Sequence, residues 1–181
     1  MSTSADPVLD AVPLPAGVVL RRAAYDDPVA HQLIEAVQEE YVRRYGGRDG
    51  AVVDPQEFRP PHGLFLVAVV DGRPAGCGGW RVHAPGVVEL KRMYVDPTAR
   101  RRGVAGALLR ALELTAARAG HRRMVLNSGD RQPEALALYR LAGYTPVPGY
   151  GMYADSPEAV FLGRELAGEP SREGGGTTWQ S

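Results

Sequence analysis

The sequence predicts an α/β domain of the α+β kind, a sheet with helices on its faces. Three observations carry this. Strand-like and helix-like stretches interleave, in the order strand, helix, three strands, helix, strand, helix, strand. The segments 28–45 and 104–119 repeat apolar residues at helical spacing. Two apolar runs, 64–70 and 73–82, are separated only by Asp71-Gly72, the composition of a tight hairpin turn.

Each element has a local reason. Residues 18–22 are a short apolar run ending in arginines. In 28–45, Val29, Leu33, Val37 and Tyr41 fall four apart, Pro28 suits a first helical turn, and Gly46-Gly47 ends the helix. The run 87–95 alternates in part and stops at Asp96-Pro97. The helix over 104–119 shows Val104, Leu108, Leu112 and Ala116 on one face, and Gly120 ends it. A strand over 123–127, a short helix over 133–142 stopped by Gly143, and a strand near 159–166 complete the pattern. Residues 1–16 and 168–181 lack periodicity and are expected to be disordered N- and C-terminal tails around one domain at 17–167.

Composition narrows the function. The 181 residues suit one domain, 44 % hydrophobic residues suffice for a core, and 21 basic residues balance 21 acidic ones. This balance gives no global cue for nucleic acid or anionic membrane. Cys77 is the single cysteine and histidines number four, so no metal-ligand spacing appears. Cys77 lies in an apolar, glycine-rich stretch and reads as a small buried hydrophobe. The longest strongly apolar run, 64–70, is far short of the ~20 residues of a membrane span. The N-terminus lacks the pattern of a signal peptide, so a cytoplasmic protein is expected.

The chemistry concentrates in Arg100-Arg101-Arg102-Gly103-Val104-Ala105-Gly106, a turn between a strand and a long helix. The first helical turn has unpaired N–H groups and a partial positive charge, which suit phosphate oxygens. Gly103, Ala105 and Gly106 lack bulk, so a pyrophosphate can approach the backbone, and the arginines add charge. An ordinary turn with solvated arginines is the plainer reading of the loop alone. No Walker lysine follows, and the dinucleotide spacing of glycines is absent.

Arg100-x-x-Gly103-x-Ala105 resembles the Gln/Arg-x-x-Gly-x-Gly/Ala signature of the GNAT superfamily of N-acetyltransferases. The stretch 89–97 resembles the family's fourth strand. The segment 131–144, with Tyr139 and Gly143-Tyr144, resembles its second cofactor motif. Gln132 stands where many members have Asn, and Asn127 offers a second amide nearby. The resemblance covers roughly 18–166. It implies the GNAT acyl-CoA N-acyltransferase fold, a mixed, mostly antiparallel sheet flanked by helices and splayed between strands four and five. Acetyl-CoA would lie in that gap, its pantetheine along Met93, Tyr94 and Val95 and its phosphates on the 100–106 loop, and CoA would leave as product.

The same resemblance implies direct attack of an amine on the thioester. Tyr139 is the candidate acid, since a phenol stays protonated at neutral pH; its alternative role is packing beside Leu136 and Leu138. Glu89 is the candidate base; its alternatives are binding an ammonium or pairing with Lys91 or Arg92. Glu40, Tyr41, Tyr45, Tyr150 and Tyr153 fall in segments that would line the acceptor side, while Trp80 and His83 receive no role. The leading expectation is acetylation of a small-molecule or amino-acid-like amine. Acetylation of a protein N-terminus or lysine is a second reading, and a non-catalytic acyl-CoA sensor a third. Family habit makes a homodimer a candidate assembly.

Overall fold

Residues 6–167 are described by the structure, a computed structural model. One seven-stranded sheet organises the chain. Its strands are β1 (Val18–Arg22), β2 (Gly63–Val70), β3 (Arg73–Ala84), β4 (Val87–Val95), β5 (Arg123–Gly129), β6 (Thr145–Pro146) and β7 (Ala159–Glu165). Their spatial order is β1-β2-β3-β4-β5-β7-β6, antiparallel except for the β4–β5 pair. The helices are α1 (Pro7–Asp10), α2 (Pro28–Tyr45), α3 (Val104–Arg118) and α4 (Pro133–Leu141). No described helix is long and apolar enough to cross a membrane.

Helix α2 starts where the sequence indicates. The Asp27 carboxylate accepts from the N–H groups of Val29 and Ala30, and Pro28 occupies the first turn. Its buried side, Ala30, Leu33, Ile34 and Val37, packs on Phe58, Phe65, Val67, Cys77 and Tyr94 across one sheet face. The opposite face is covered by α3 and α4, with Leu108, Leu112 and Leu136 against Leu66, Val88 and Leu90. Cys77 is fully buried and its thiol donates to the Arg92 carbonyl at 3.3 Å. Burial pushes that thiol up from its ordinary pKa, which fits an inert hydrophobe.

Two departures from the sequence reading have physical causes. The expected disorder over 1–16 does not hold for the described part of that segment. Asp6 caps α1, and Leu9 and Val12 are buried in the cluster that includes α3. Two apolar anchors suffice, and four helical residues are too few to show a period. The segment 168–181 lies outside the described residues. The two-residue β6 was not expected, because its pairing with Leu162 and Gly163 of β7 is a tertiary event.

Strand β4 contains an extra residue. Gly79 faces Lys91 and Cys77 faces Tyr94, so two steps on β3 match three on β4. Arg92, at φ 60°, accommodates the bulge. Before it, Val88 and Leu90 point to the α3 side; after it, Val95 does, while Tyr94 points to α2.

Candidate active site

Strands β4 and β5 stay together only from Val87–Arg123 to Leu90–Leu126. Beyond Leu90, β4 follows β3, while β5 follows β7 as far as Gly129. The parting opens a cleft of about 320 Å³. Its walls come from β4 (Lys91, Met93), β5 (Asn127), α4 (Gln132, Tyr139) and the α2 end (Tyr41). Asp49, from the loop after α2, and Tyr153 close the far side.

Tyr139 is 6 % exposed, yet its hydroxyl has no hydrogen-bond partner among the described residues, and the side chain borders the cleft. Burial, with Tyr41 nearby, pushes its pKa well above the ordinary phenol value. The ring packs against Tyr144 at 5.8 Å between centroids. Packing and an unspent proton thus coexist in one side chain. Asn127 and Gln132 both reach the cleft, and Gln132 precedes α4 without capping it.

Glu89 does not border this cleft. It is 5 % exposed and accepts from Arg81 Nε at 3.0 Å. The second Arg81 arm donates to Glu57 at 2.6 Å. Lys91 Nζ lies 3.8 Å from Glu89 and 3.8 Å from Asp49. The pairing partners are therefore Arg81 and Lys91, and Arg92 turns elsewhere. Tyr150, grouped with the acceptor side by sequence, packs against His83 and Phe161. Trp80 donates to the Thr115 hydroxyl in the core.

Sequence reasoning missed Asp49. It sits in a loop without periodicity, 42 residues from Lys91 in sequence number, and no local pattern marks it. Its carboxylate accepts from Arg92 Nη1 at 2.5 Å, from the Ala51 N–H at 3.0 Å and from the Tyr153 hydroxyl at 3.0 Å. Burial opposes its ionisation, but Lys91, the Ala51 N–H and Arg92 outweigh that and hold it below the usual carboxylate range. Arg92 also donates to the Tyr25 hydroxyl at 3.1 Å.

The loop 100–106 lies outside the cleft's own wall, past the end of β4. Gly103 precedes α3 at φ 78° and supplies no side-chain cap, so the first N–H groups of the helix are left for another partner. A Cβ at Gly106 would meet nothing within 4 Å. The three arginines diverge. Arg100 donates to the Val95 carbonyl at 2.9 Å and to Glu40 at 2.7 Å, and Arg102 donates to Asp71 at 2.7 Å. Tyr94 and Val95 are buried, with their strand continuing toward the loop.

The end of α2 is tied to the start of α4. Arg44 pairs with Glu40 and Glu134 and donates to the Arg131 carbonyl, while the Arg131 N–H donates to the Tyr45 hydroxyl. A Cβ on Gly129 would come within 1.9 Å of that hydroxyl, so this approach requires glycine. Among the described residues no group of metal-ligating side chains occurs.

The parted parallel pair, the glycine-opened helix and the buried tyrosine with an unpartnered hydroxyl form one cleft region on the sheet. The model of the acetyltransferase (GNAT) family matches residues 30–144. The IAA acetyltransferase of Azospirillum brasilense is 32 % identical over 154 residues, 84 % of this chain and 100 % of that one. A Klebsiella pneumoniae structure assigned as an acyl-CoA N-acyltransferase aligns with TM-score 0.70 at 27 % identity, covering 83 % of this chain and 98 % of that one. A GNAT acetyltransferase structure from Elizabethkingia anophelis with acetyl-CoA bound aligns with TM-score 0.60 at 16 % identity, covering 83 % and 99 %. The chain belongs to the acetyltransferase (GNAT) family, and it is an acyltransferase.

Proposed function

We propose that this enzyme transfers the acetyl group of acetyl-CoA to a primary amine of a small molecule. The observation that carries the reading is the unpartnered Tyr139 hydroxyl beside the cleft where β4 leaves β5. The residues present fit the cosubstrate. Beyond Leu90, β4 has no strand partner on its β5 side among the described residues, so backbone groups near Met93 are available to an amide-bearing pantetheine. The amides of Asn127 and Gln132 border the same cleft. The N–H groups opening α3, which no side chain caps, suit a pyrophosphate.

Acetyl-CoA supplies an activated thioester. The amine attacks in its neutral form and the new C–N bond forms as the C–S bond breaks; Tyr139 gives its hydroxyl proton to the departing sulfur, the proton released by the nitrogen passes to solvent water, and water returns a proton to Tyr139. Glu89, held by Arg81 and 3.8 Å from Lys91, supports the cationic wall in this reading.

Saturating acetyl-CoA is expected to raise the melting temperature. A ligand at ~100 times its dissociation constant that binds only the folded state adds about 2.7 kcal/mol. Thiol release from acetyl-CoA with a panel of amines then tests transfer. No thermal shift with acetyl-CoA or CoA would overturn the proposal.

Gly103→Val is expected to weaken CoA binding at least about tenfold while costing roughly 1–2 kcal/mol of stability, the penalty for a left-handed non-glycine residue. Titration calorimetry and a melting curve separate the two effects. Wild-type affinity in the variant would remove the loop from the phosphate site.

A further inference from the structure

The cleft wall carries a cation whose donors are not used. Lys91 is 89 % buried at its side chain, since only 11 % is exposed. Its ammonium makes no hydrogen bond among the described residues, and its nearest anions, Asp49 and Glu89, stand at 3.8 Å. That separation is an ion contact and leaves the N–H donors unsatisfied. An ammonium that lines a cleft takes its remaining acceptors from water or from a ligand in that cleft.

The two neighbouring carboxylates are committed elsewhere. Asp49 is closed by Arg92, the Ala51 N–H and the Tyr153 hydroxyl. On Glu89, Arg81 Nε and Nη2 both contact Oε2, at 3.0 and 2.9 Å, and Oε1 is the oxygen 3.8 Å from Lys91. Three cations, Lys91, Arg81 and Arg92, thus meet three carboxylates, Asp49, Glu89 and Glu57. Glu57 is the most open of the three, with 44 % of its side chain exposed. Lys91 is the one cation of the three whose donors make no hydrogen bond among the described residues, its carboxylate neighbours standing at 3.8 Å.

Position gives these unspent donors a use. Lys91 is the first β4 residue beyond the last β4–β5 pair, and it borders the cleft together with Met93 and Tyr139. An anion on Lys91 therefore lies in the same cavity as the Tyr139 hydroxyl. Glu158, which also borders the cleft, is paired with Arg131 and does not offset Lys91.

We propose that Lys91 binds a carboxylate of the acceptor, so that the substrate class is amines that also carry a carboxylate. This rests on the acetyl-transfer reading of the cleft and deepens it. Lys91 is a specificity-determining residue in this role. A carboxylate oxygen completes the ammonium's hydrogen bonding, and a carboxamide leaves the cation uncompensated.

The test compares glycine, β-alanine, L-aspartate and L-phenylalanine, each against its own carboxamide, as acceptors with acetyl-CoA and as ligands by calorimetry on CoA-saturated and CoA-free protein. For at least one pair, wild-type kcat/KM and affinity are expected to favour the carboxylate by about tenfold to a hundredfold, the scale of a hydrogen bond to a charged group. Lys91→Met should abolish that preference, mainly through KM, and Lys91→Arg should retain part of it. Melting curves and CoA affinity of both variants establish that they fold. Equal use of carboxylates and carboxamides, a preference that survives Lys91→Met, or silence of the whole panel while CoA binds would overturn the proposal. Failure of CoA to bind would instead sink acetyl transfer, and calorimetry on the CoA-free protein would then decide the carboxylate site by itself.

Discussion

Tyr139→Phe is expected to lower turnover by roughly 10²–10⁴-fold, the scale of a general acid–base group, with CoA affinity little changed. The geometry makes this substitution unusually clean. The ring remains against Tyr144 in the same core. The hydroxyl has no hydrogen-bond partner among the described residues, so its removal orphans nothing, and stability should change by less than about 1 kcal/mol. Steady-state kcat on any accepted amine, with the CoA dissociation constant and a melting curve, gives the full comparison. Full activity in the variant would end the proton-donor assignment and leave Tyr139 as packing.

Arg92→Met is expected to be the most damaging of these substitutions to folding, at about 3–5 kcal/mol, because it leaves one member of a buried pair alone. Arg92 is 5 % exposed, and its partner Asp49 keeps only 14 % of its side chain in solvent. The lower end of that range is expected, since Lys91 remains 3.8 Å from Asp49. The pH dependence has a definite sign. In the wild type Asp49 is held below the usual range, so its contribution is present above the unfolded carboxylate value, near 3.9, and is lost as pH falls through the lower folded value. Without Arg92, Lys91 and the Ala51 N–H still oppose burial but the Asp49 carboxyl is held less far down. The deficit of the variant should therefore shrink as pH falls from about 5 to about 2. Denaturant melts across that interval, with Asp49→Asn added to Arg92→Met to recover part of the loss, check this. A deficit that grows on acidification would contradict it.

Much of the architecture can be read from the sequence because the signals are local. Asp27-Pro28 starts α2 and Gly46 stops it, and Asp71-Gly72 turns β2 into β3. The partial alternation of 87–95 was itself a sign of the bulge, since an extra residue breaks a period of two. The resemblance located Tyr139, Gln132 and Met93, Asn127 was marked as an amide nearby in sequence, and the structure brings these four to one cleft. Asp49 was illegible because its meaning comes from Arg92 and Tyr153, distant in sequence. Glu89 was legible as a carboxylate on the right strand, but which side of the cleft wall it occupies depends on Arg81 across the β3–β4 ladder. The anchoring of α1 through Leu9 and Val12 was hidden for the same reason.

The extra residue in β4 divides the strand into two reading frames. Up to Leu90 the even-numbered side chains belong to the α3 layer, and from Met93 onward the odd-numbered ones do. Lys91 and Arg92 fall at the seam, which is why two consecutive residues of a strand can both serve the cleft. A one-residue deletion at the seam would restore a single frame. Tyr94 and Val95 would then trade layers, and the run into the 100–106 loop would arrive rotated by half a pleat. In this strand, chain length itself is a determinant of chemistry, and an indel there is a larger change than most side-chain replacements.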